Sequence, residues 1–358
     1  MADLRLRDRD AIVTKEGLIF RVLGYSHPSN AYVCDVEYAP ARLFRSENPR
    51  ALRTKNRHVF YKFFEDEGWK FLQDRFPRYL ILHDMLGKNI IGVSHEDTME
   101  TRKPEEKLEE LIDRKPEDEL VAALQNALRL VAEQSGLATK DFGVFGSVLH
   151  GFHHPRFSDL DFTIYGRRNV AQLRQTLQRL HSDRSSLFGN EFESDESIKG
   201  KPWHFKNLTP KEFVWHQRRK LIYSLFKDEN TGRIIKTELE PVKDWNEISN
   251  EYDPRTRILQ KGWVKMSARI IGDADAHFMP SIYDVEPLKT LKGIKCADEA
   301  TRIVSHMEEF RMQAFEDEIV NVEGNLEEVN APDGNSVQIS LTYCPRYYEQ
   351  VLKVNPKA

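Results

Sequence analysis

The chain has 358 residues, of which 40% are hydrophobic and 31% charged, and its formal net charge is −4. That length accommodates two or three domains with ordinary cores, and the composition is that of a globular chain, not a disordered one. The charge argues against a uniformly basic nucleic-acid binder, though local basic patches remain open. Cys34, Cys296 and Cys344 are far apart and lack CxxC spacing. A disulfide framework or zinc ribbon is therefore not expected, and a reducing compartment fits. The N-terminus, MADLRLRDRDAIV, has no long apolar core, and no run approaches the roughly 18 apolar residues of a membrane span. A soluble cytoplasmic protein is the expectation.

Ala11 to Tyr25 reads as a hairpin turned at Lys15-Glu16-Gly17. Tyr32, Cys34, Val36 and Tyr38 alternate with Val33, Asp35 and Glu37, which predicts a half-buried strand. A basic island follows, in which Arg42, Arg45, Arg50, Arg53, Lys55, Arg57 and Lys62 meet only Glu47 among acids. Phe44, Phe60 and Tyr61 are interleaved with it. Such a mixture suits phosphate contact with base stacking, with Arg50, Arg53 and Arg57 as the candidate nucleic-acid contacts; a solvated connection packed on acidic neighbours is the plainer alternative. Residues 63–76 read as a helix, and YLILHDM and NIIGVS as a second hairpin. Residues 1–100 thus form a β-rich N-terminal domain.

Pro104 and Pro116 both sit where proline opens a helix, each followed by acids that suit the helix dipole. In the second helix Leu120, Leu124, Leu128 and Val131 share one face, and Gly136 terminates it. Then comes FGVFGSVLHGFHHPRFSDLDFTIYG, residues 142–166: a short strand, a Gly146-Ser147 turn into a short helix, a loop, and a strand with two aspartates. The glycine allows close approach of a ligand, and the helix start offers free N–H groups, a place for a phosphate. Strand periodicity puts Asp159 and Asp161 on one face and Leu160 and Phe162 on the other. Two hard carboxylates side by side suit Mg²⁺, so phosphoryl or nucleotidyl transfer is the implied chemistry. Arg156 and Ser158, just before Asp159, are placed to contact a triphosphate. His150, His153 and His154 could hold a transition metal, line the rim, or face water.

Asn169 can cap a helix running to about Ser182, with Val170, Leu173, Leu177 and Leu180 as its buried stripe. Residues 183–207 read as loop, and Thr209-Pro210-Lys211-Glu212 as a capping box opening another helix. LIYSLF and RIIKTELEPV read as paired strands, with Lys236, Glu238 and Glu240 on one face of the second. Beyond residue 246, WVKMSARIIG and SIYDVEPL read as strands, Asp273-Ala274-Asp275 as a turn, and ADEATRIVSHMEEFRMQAF as a helix. EIVNVEGNLEEV and NSVQISLTY form a hairpin. Residues 246–358 therefore read as a β-rich C-terminal domain, OB-like or another compact barrel, with residues 101–245 as the domain between.

The pattern Phe145-Gly146-Ser147 followed by Asp159-Leu160-Asp161-Phe162 resembles the signature of the DNA polymerase β-like nucleotidyltransferase superfamily. The resemblance covers about residues 115–245. It implies an α+β core, a mixed sheet with packing helices, flanked by the two β-rich modules. It further implies an NTP as substrate, Mg²⁺ (or Mn²⁺) as cofactor, and Gly146 and Ser147 as holders of its phosphates. A third carboxylate from a later strand is implied beside Asp159 and Asp161, with Glu238 the first choice and Glu240 the second. The reaction expected is NMP transfer to an acceptor hydroxyl, with pyrophosphate released. The basic island favours a nucleic-acid 3′ end, RNA such as tRNA before DNA. A protein or small-molecule acceptor, or a non-catalytic nucleic-acid- or nucleotide-binding protein that keeps the fold, are the alternatives.

Overall fold

Alternating burial along the N-terminal residues builds one sheet. Its strands are β1 (Ala11–Thr14), β2 (Ile19–Val22), β3 (Ala31–Pro40), β4 (Leu52–Lys55), β5 (His58–Lys62), β6 (Leu80–His83), β7 (Lys88–Ser94) and β8 (Thr98–Arg102). The computed structural model describes residues 5–55 and 58–355. Strand order is β4-β5-β3-β2-β1-β8, and β7 joins β3 to β6. Helix α1 (Glu67–Arg75) contributes Phe71 and Leu72 to a core with Phe20, Val22, Val36 and Tyr79. Both hairpins read from the sequence are present, as β1–β2 and β6–β7.

Helix α2 (Pro104–Ile112) opens on Pro104 as expected. Helix α3 (Glu119–Ser135) starts later than Pro116, because Asp118 takes the N-cap: its Oδ1 accepts the N–H groups of Leu120 at 2.9 Å and Val121 at 3.0 Å. Gly136 ends it in the left-handed conformation. Strand β9 (Phe142–Val144), helix α4 (Gly146–His150) and strand β10 (Leu160–Tyr165) follow. Helix α5 (Arg167–Ser182) begins before Asn169, whose side chain donates instead to the Tyr165 carbonyl at 2.8 Å. The stretch read as loop contains a short strand, β11 (Phe188–Asn190). Helix α6 (Pro210–Lys220) has the expected capping box from Thr209 and Glu212, and β12 (Tyr223–Lys227) and β13 (Ile234–Val242) come next.

The C-terminal strands are β14 (Arg257–Asp275), β15 (Ser281–Lys292), β16 (Ala300–Ser305), β17 (Ile319–Ala331), β18 (Gly334–Leu341) and β19 (Val351–Val354). The ladder β14-β15-β16-β18-β17 closes on itself, since β17 also pairs with β14, and the β16–β18 pairing is parallel. Closure leaves an apolar interior that includes Val264, Met266, Ile303, Val322 and Ile339. The helix expected over ADEATRIVSHMEEFRMQAF is absent. Ile303, Met307, Phe310 and Ala314 have helical spacing and are all buried, but by strand β16 and an irregular 3₁₀ segment. Pairing of β16 with β15 and β18 decides its conformation, and no local pattern carries that information. The second Asp-x-Asp, at Asp273 and Asp275, lies at the end of β14.

The described residues fall into two compact units. One runs through His83, then Lys88–Thr176 and Phe226–Tyr252; the other holds Asp84–Gly87, Leu177–Leu225 and the residues from Asp253 onward. The boundaries expected at 100/101 and 245/246 both lie within the first unit. The three cysteines are free, and no described helix is long and apolar enough to cross a membrane.

Candidate active site

The floor of the site is a three-strand ladder in the first unit. β10 runs parallel to β13 and antiparallel to β9. In this register Asp161 is the partner of Glu238, and Thr163 the partner of Glu240. Residues opposite one another on adjacent strands project to the same side, so Asp161 and Glu238 stand next to each other. Asp159, one residue ahead of β10, is exposed, and Asp161 is half-buried. Burial, and then Glu238, Asp159 and Glu240, push the Asp161 carboxyl up to about 8. Burial also raises Asp159, against the pull of Lys236 and Arg233.

Gly146 explains why a glycine precedes the serine. Its φ is +61°, and a Cβ there would collide with Asp161 Oδ2 and lie 3.1 Å from Asp161 Cγ. The Phe145 N–H donates to the Asp161 carbonyl at 2.9 Å, which ties the turn to the carboxylate strand. Gly143, on β9, is crowded too: a Cβ would sit 2.5 Å from Thr163 Oγ1 and 2.6 Å from the Tyr165 hydroxyl oxygen.

Ser147 and Ser158 converge, with their Oγ atoms 3.5 Å apart, and Ser158 Oγ accepts the His154 N–H at 2.8 Å. Arg233 holds the loop before Asp159 by donating to the carbonyls of Pro155 at 2.9 Å and Ser158 at 2.7 Å. Arg156 is not brought to the carboxylates. Its side chain is 78% exposed and its Nε lies 3.4 Å from Glu119, because the loop turns it outward.

The two candidates for a third carboxylate have different surroundings. Glu240 is buried and ion-paired with Arg9, whose guanidinium also lies over the Phe145 ring. Glu238 is more open and is held by Lys236 Nζ at 2.7 Å. Asp159, Asp161 and Glu238 offer only hard oxygen donors, a set that fits a divalent cation such as Mg²⁺. Among the described residues, the ligand atoms that gather within 4.8 Å of one another are instead those of Glu117, Asp118 and His153.

The Glu117–Asp118–His153 group has another explanation. His153 Nε2 is 3.0 Å from Asp118 Oδ2, while Asp118 Oδ1 caps α3. A metal on Nε2 would move the ring proton to Nδ1, which is buried with no hydrogen-bond partner. The arrangement is a hydrogen-bonded helix cap. His154 is exposed, and His150 is buried between Arg102, 3.2 Å from its Nδ1, and Glu37, 3.7 Å from its Nε2.

Of the basic island, Arg50 is exposed and Arg53 half-buried, while Arg57 lies outside the described residues. Arg53 Nη1 donates to the carbonyls of Arg50 at 2.6 Å and Leu52 at 2.9 Å. Lys236 was expected on one face with Glu238 and Glu240, whereas Arg233 and the Arg9–Glu240 pair were not anticipated. The even-numbered charges on β13 were the one visible signal for Lys236, and nothing local marks Arg233 or Arg9.

Residues 124–227 match the model of the nucleotidyltransferase domain family. The chain is 28% identical over 336 residues to an uncharacterized protein of Methanocaldococcus jannaschii, covering 91% of this chain and 92% of the relative. No solved structure matches the chain at a significant level. A nucleotidyltransferase domain supports a transferase that uses an NTP and transfers a nucleotidyl group.

Proposed function

We propose that the protein joins an NMP to the 3′ hydroxyl of a nucleic acid, RNA before DNA, using Asp159, Asp161 and Glu238 at its catalytic centre. The observation that carries this reading is the contact of the Gly146-Ser147 turn with Asp161, itself the register partner of Glu238. Backbone N–H groups at the start of α4 and the Ser147 hydroxyl would bind the β- and γ-phosphates. Asp159, Asp161 and Glu238 would hold the divalent cation, which when bound neutralises phosphate charge and lowers the pKa of the attacking hydroxyl. The acceptor oxygen forms a bond to the α-phosphorus as the bond to the β-phosphate oxygen breaks, and pyrophosphate leaves. The hydroxyl proton passes to the Asp161–Glu238 carboxylate pair. Arg233 keeps the Pro155–Ser158 loop in place, so the preorganised charge is not lost to loop motion.

The acceptor class is supported by two features. Arg50 and Arg53 stand at a β-sheet edge with aromatic neighbours, and the C-terminal ring order β14-β15-β16-β18-β17 is that of an OB-like barrel, an architecture used for oligonucleotides. The test is incubation with each α-labelled NTP and Mg²⁺ over total RNA, single-stranded DNA and a protein mixture. Label confined to RNA supports the reading. Label confined to protein or to a small molecule replaces the acceptor but keeps the reaction.

A further inference from the structure

Register gathers two cations on one face of the N-terminal sheet. On β5, Lys62 is the partner of Tyr38 and Phe60 the partner of Pro40 on β3, and Phe60 is also the partner of Arg53 on β4. Cross-strand partners and i, i+2 neighbours project to the same side, so Arg53, Phe60, Lys62 and Tyr38 share it. That side covers the segment after the Gly146-Ser147 turn. The Phe60 ring lies 4.8 Å from that of Phe152, and Tyr38 packs edge-on against Phe152 at 5.2 Å and His150 at 5.3 Å. The Phe152 N–H in turn donates to the Ser147 carbonyl at 2.8 Å.

Lys62 is half-buried, and among the described residues its ammonium has no ion pair or side-chain hydrogen bond. Partial burial of a charge without a direct partner is costly. Its field reaches the carboxylates of Asp161 and Glu37, where it opposes the upward push of burial. An ammonium so placed is available to a ligand anion arriving between the N-terminal sheet and the serine turn.

We propose that Lys62, with Arg53 beside it, forms the second wall of the nucleotide site and binds the triphosphate tail of the NTP and the pyrophosphate that leaves. This face of the N-terminal sheet is then part of the active site. This rests on the nucleotidyltransferase reading above. The Gly146-Ser147 turn contacts the tail from one side through neutral donors, and Lys62 adds charge from the other.

Calorimetric titration of the full-length protein with magnesium pyrophosphate, and with NTP in the absence of acceptor, tests this. Lys62→Ala is expected to weaken both affinities about tenfold or more, the size of one lost charge-assisted contact. Lys62→Arg keeps them within about threefold, and the thermal midpoint of either variant moves by no more than a few degrees. Should the alanine variant fail to fold, Lys62→Gln takes its place in the comparison. Unchanged pyrophosphate affinity in a variant whose parent binds and transfers would overturn the proposal and leave nucleotidyl transfer standing. Weakened RNA binding with pyrophosphate affinity intact would overturn it as well, making Lys62 an acceptor contact. A wild-type protein that neither binds NTP nor transfers it would overturn both readings.

Discussion

Asp161 and Glu238 are direct partners on adjacent parallel strands, whereas Glu240, two residues further along, is committed to a buried ion pair with Arg9. The two glutamates should therefore respond differently to the same substitution. Glu238→Gln is expected to lower transfer by about a hundredfold or more while leaving stability near wild type. Glu240→Gln removes one carboxylate of the buried Arg9 cluster, in which Asp8 also lies 3.7 Å from Arg9 Nε, and should cost about 2 kcal/mol or more of folding free energy. Urea denaturation and a transfer assay on both variants check this. The opposite pattern would make Glu240 the third carboxylate.

Asp161→Asn should abolish transfer without lowering stability. Burial and three neighbouring carboxylates raise the Asp161 carboxyl to about 8, so its ionised form opposes folding near neutral pH. Removing that charge at constant volume relieves the repulsion, and the expected thermal midpoint is equal to or above wild type. A midpoint well below it would show that Asp161 does structural work that the packing does not reveal.

Gly146→Ala combines backbone strain with a collision against Asp161, whereas Gly87→Ala places a Cβ in open space at a similar φ of +59°. The Gly87 variant pays only the left-handed penalty, about 1 kcal/mol. The Gly146 variant should lose at least about 1 kcal/mol more, and with it the activity. Chemical denaturation of the pair measures the difference. Equal losses would mean that the turn can shift away from Asp161 freely.

These contrasts also mark what the sequence could express. Gly146, Ser147, Asp159 and Asp161 lie within one short stretch, so spacing and strand periodicity were enough to gather them. Glu238 over Glu240 was a choice between same-face neighbours, and the Arg9 pairing that distinguishes their surroundings comes from a residue far away in the chain. Lys62 and Arg53 reach the site only through the β4-β5-β3 register and the packing of Phe60 on Phe152. Arg156 sits close in sequence to Asp159, but its pairing with Glu119 on α3 is set by loop geometry that spacing does not express. In the C-terminal residues, the spacing of Ile303, Met307, Phe310 and Ala314 imitated a helix where long-range pairing made a strand.

Stability should fall in acid through His216. Its Nδ1–H donates to the Glu212 carbonyl at 2.7 Å, and Nε2 accepts the Val354 N–H at 3.1 Å, so the buried ring is neutral. Burial, with Arg219 and Lys220 nearby, lowers its pKa from 6.5 to about 4. The unfolded chain then binds the proton more readily than the folded one between these values. The contribution is full above pH 6.5 and is lost as pH falls towards 4. Equilibrium unfolding across this range should show a shallower decline in His216→Asn than in wild type. An identical decline would assign the acid sensitivity to other groups.

The central claim is tested most directly by giving the protein NTP labelled at the α-phosphorus or, separately, at the γ-phosphorus, with Mg²⁺ and the responsive acceptor. The account predicts α-label joined to the acceptor and γ-label released in pyrophosphate, with both lost in the Asp159→Asn/Asp161→Asn double variant. Transfer of γ-label to the acceptor, or full activity in the double variant, would contradict it.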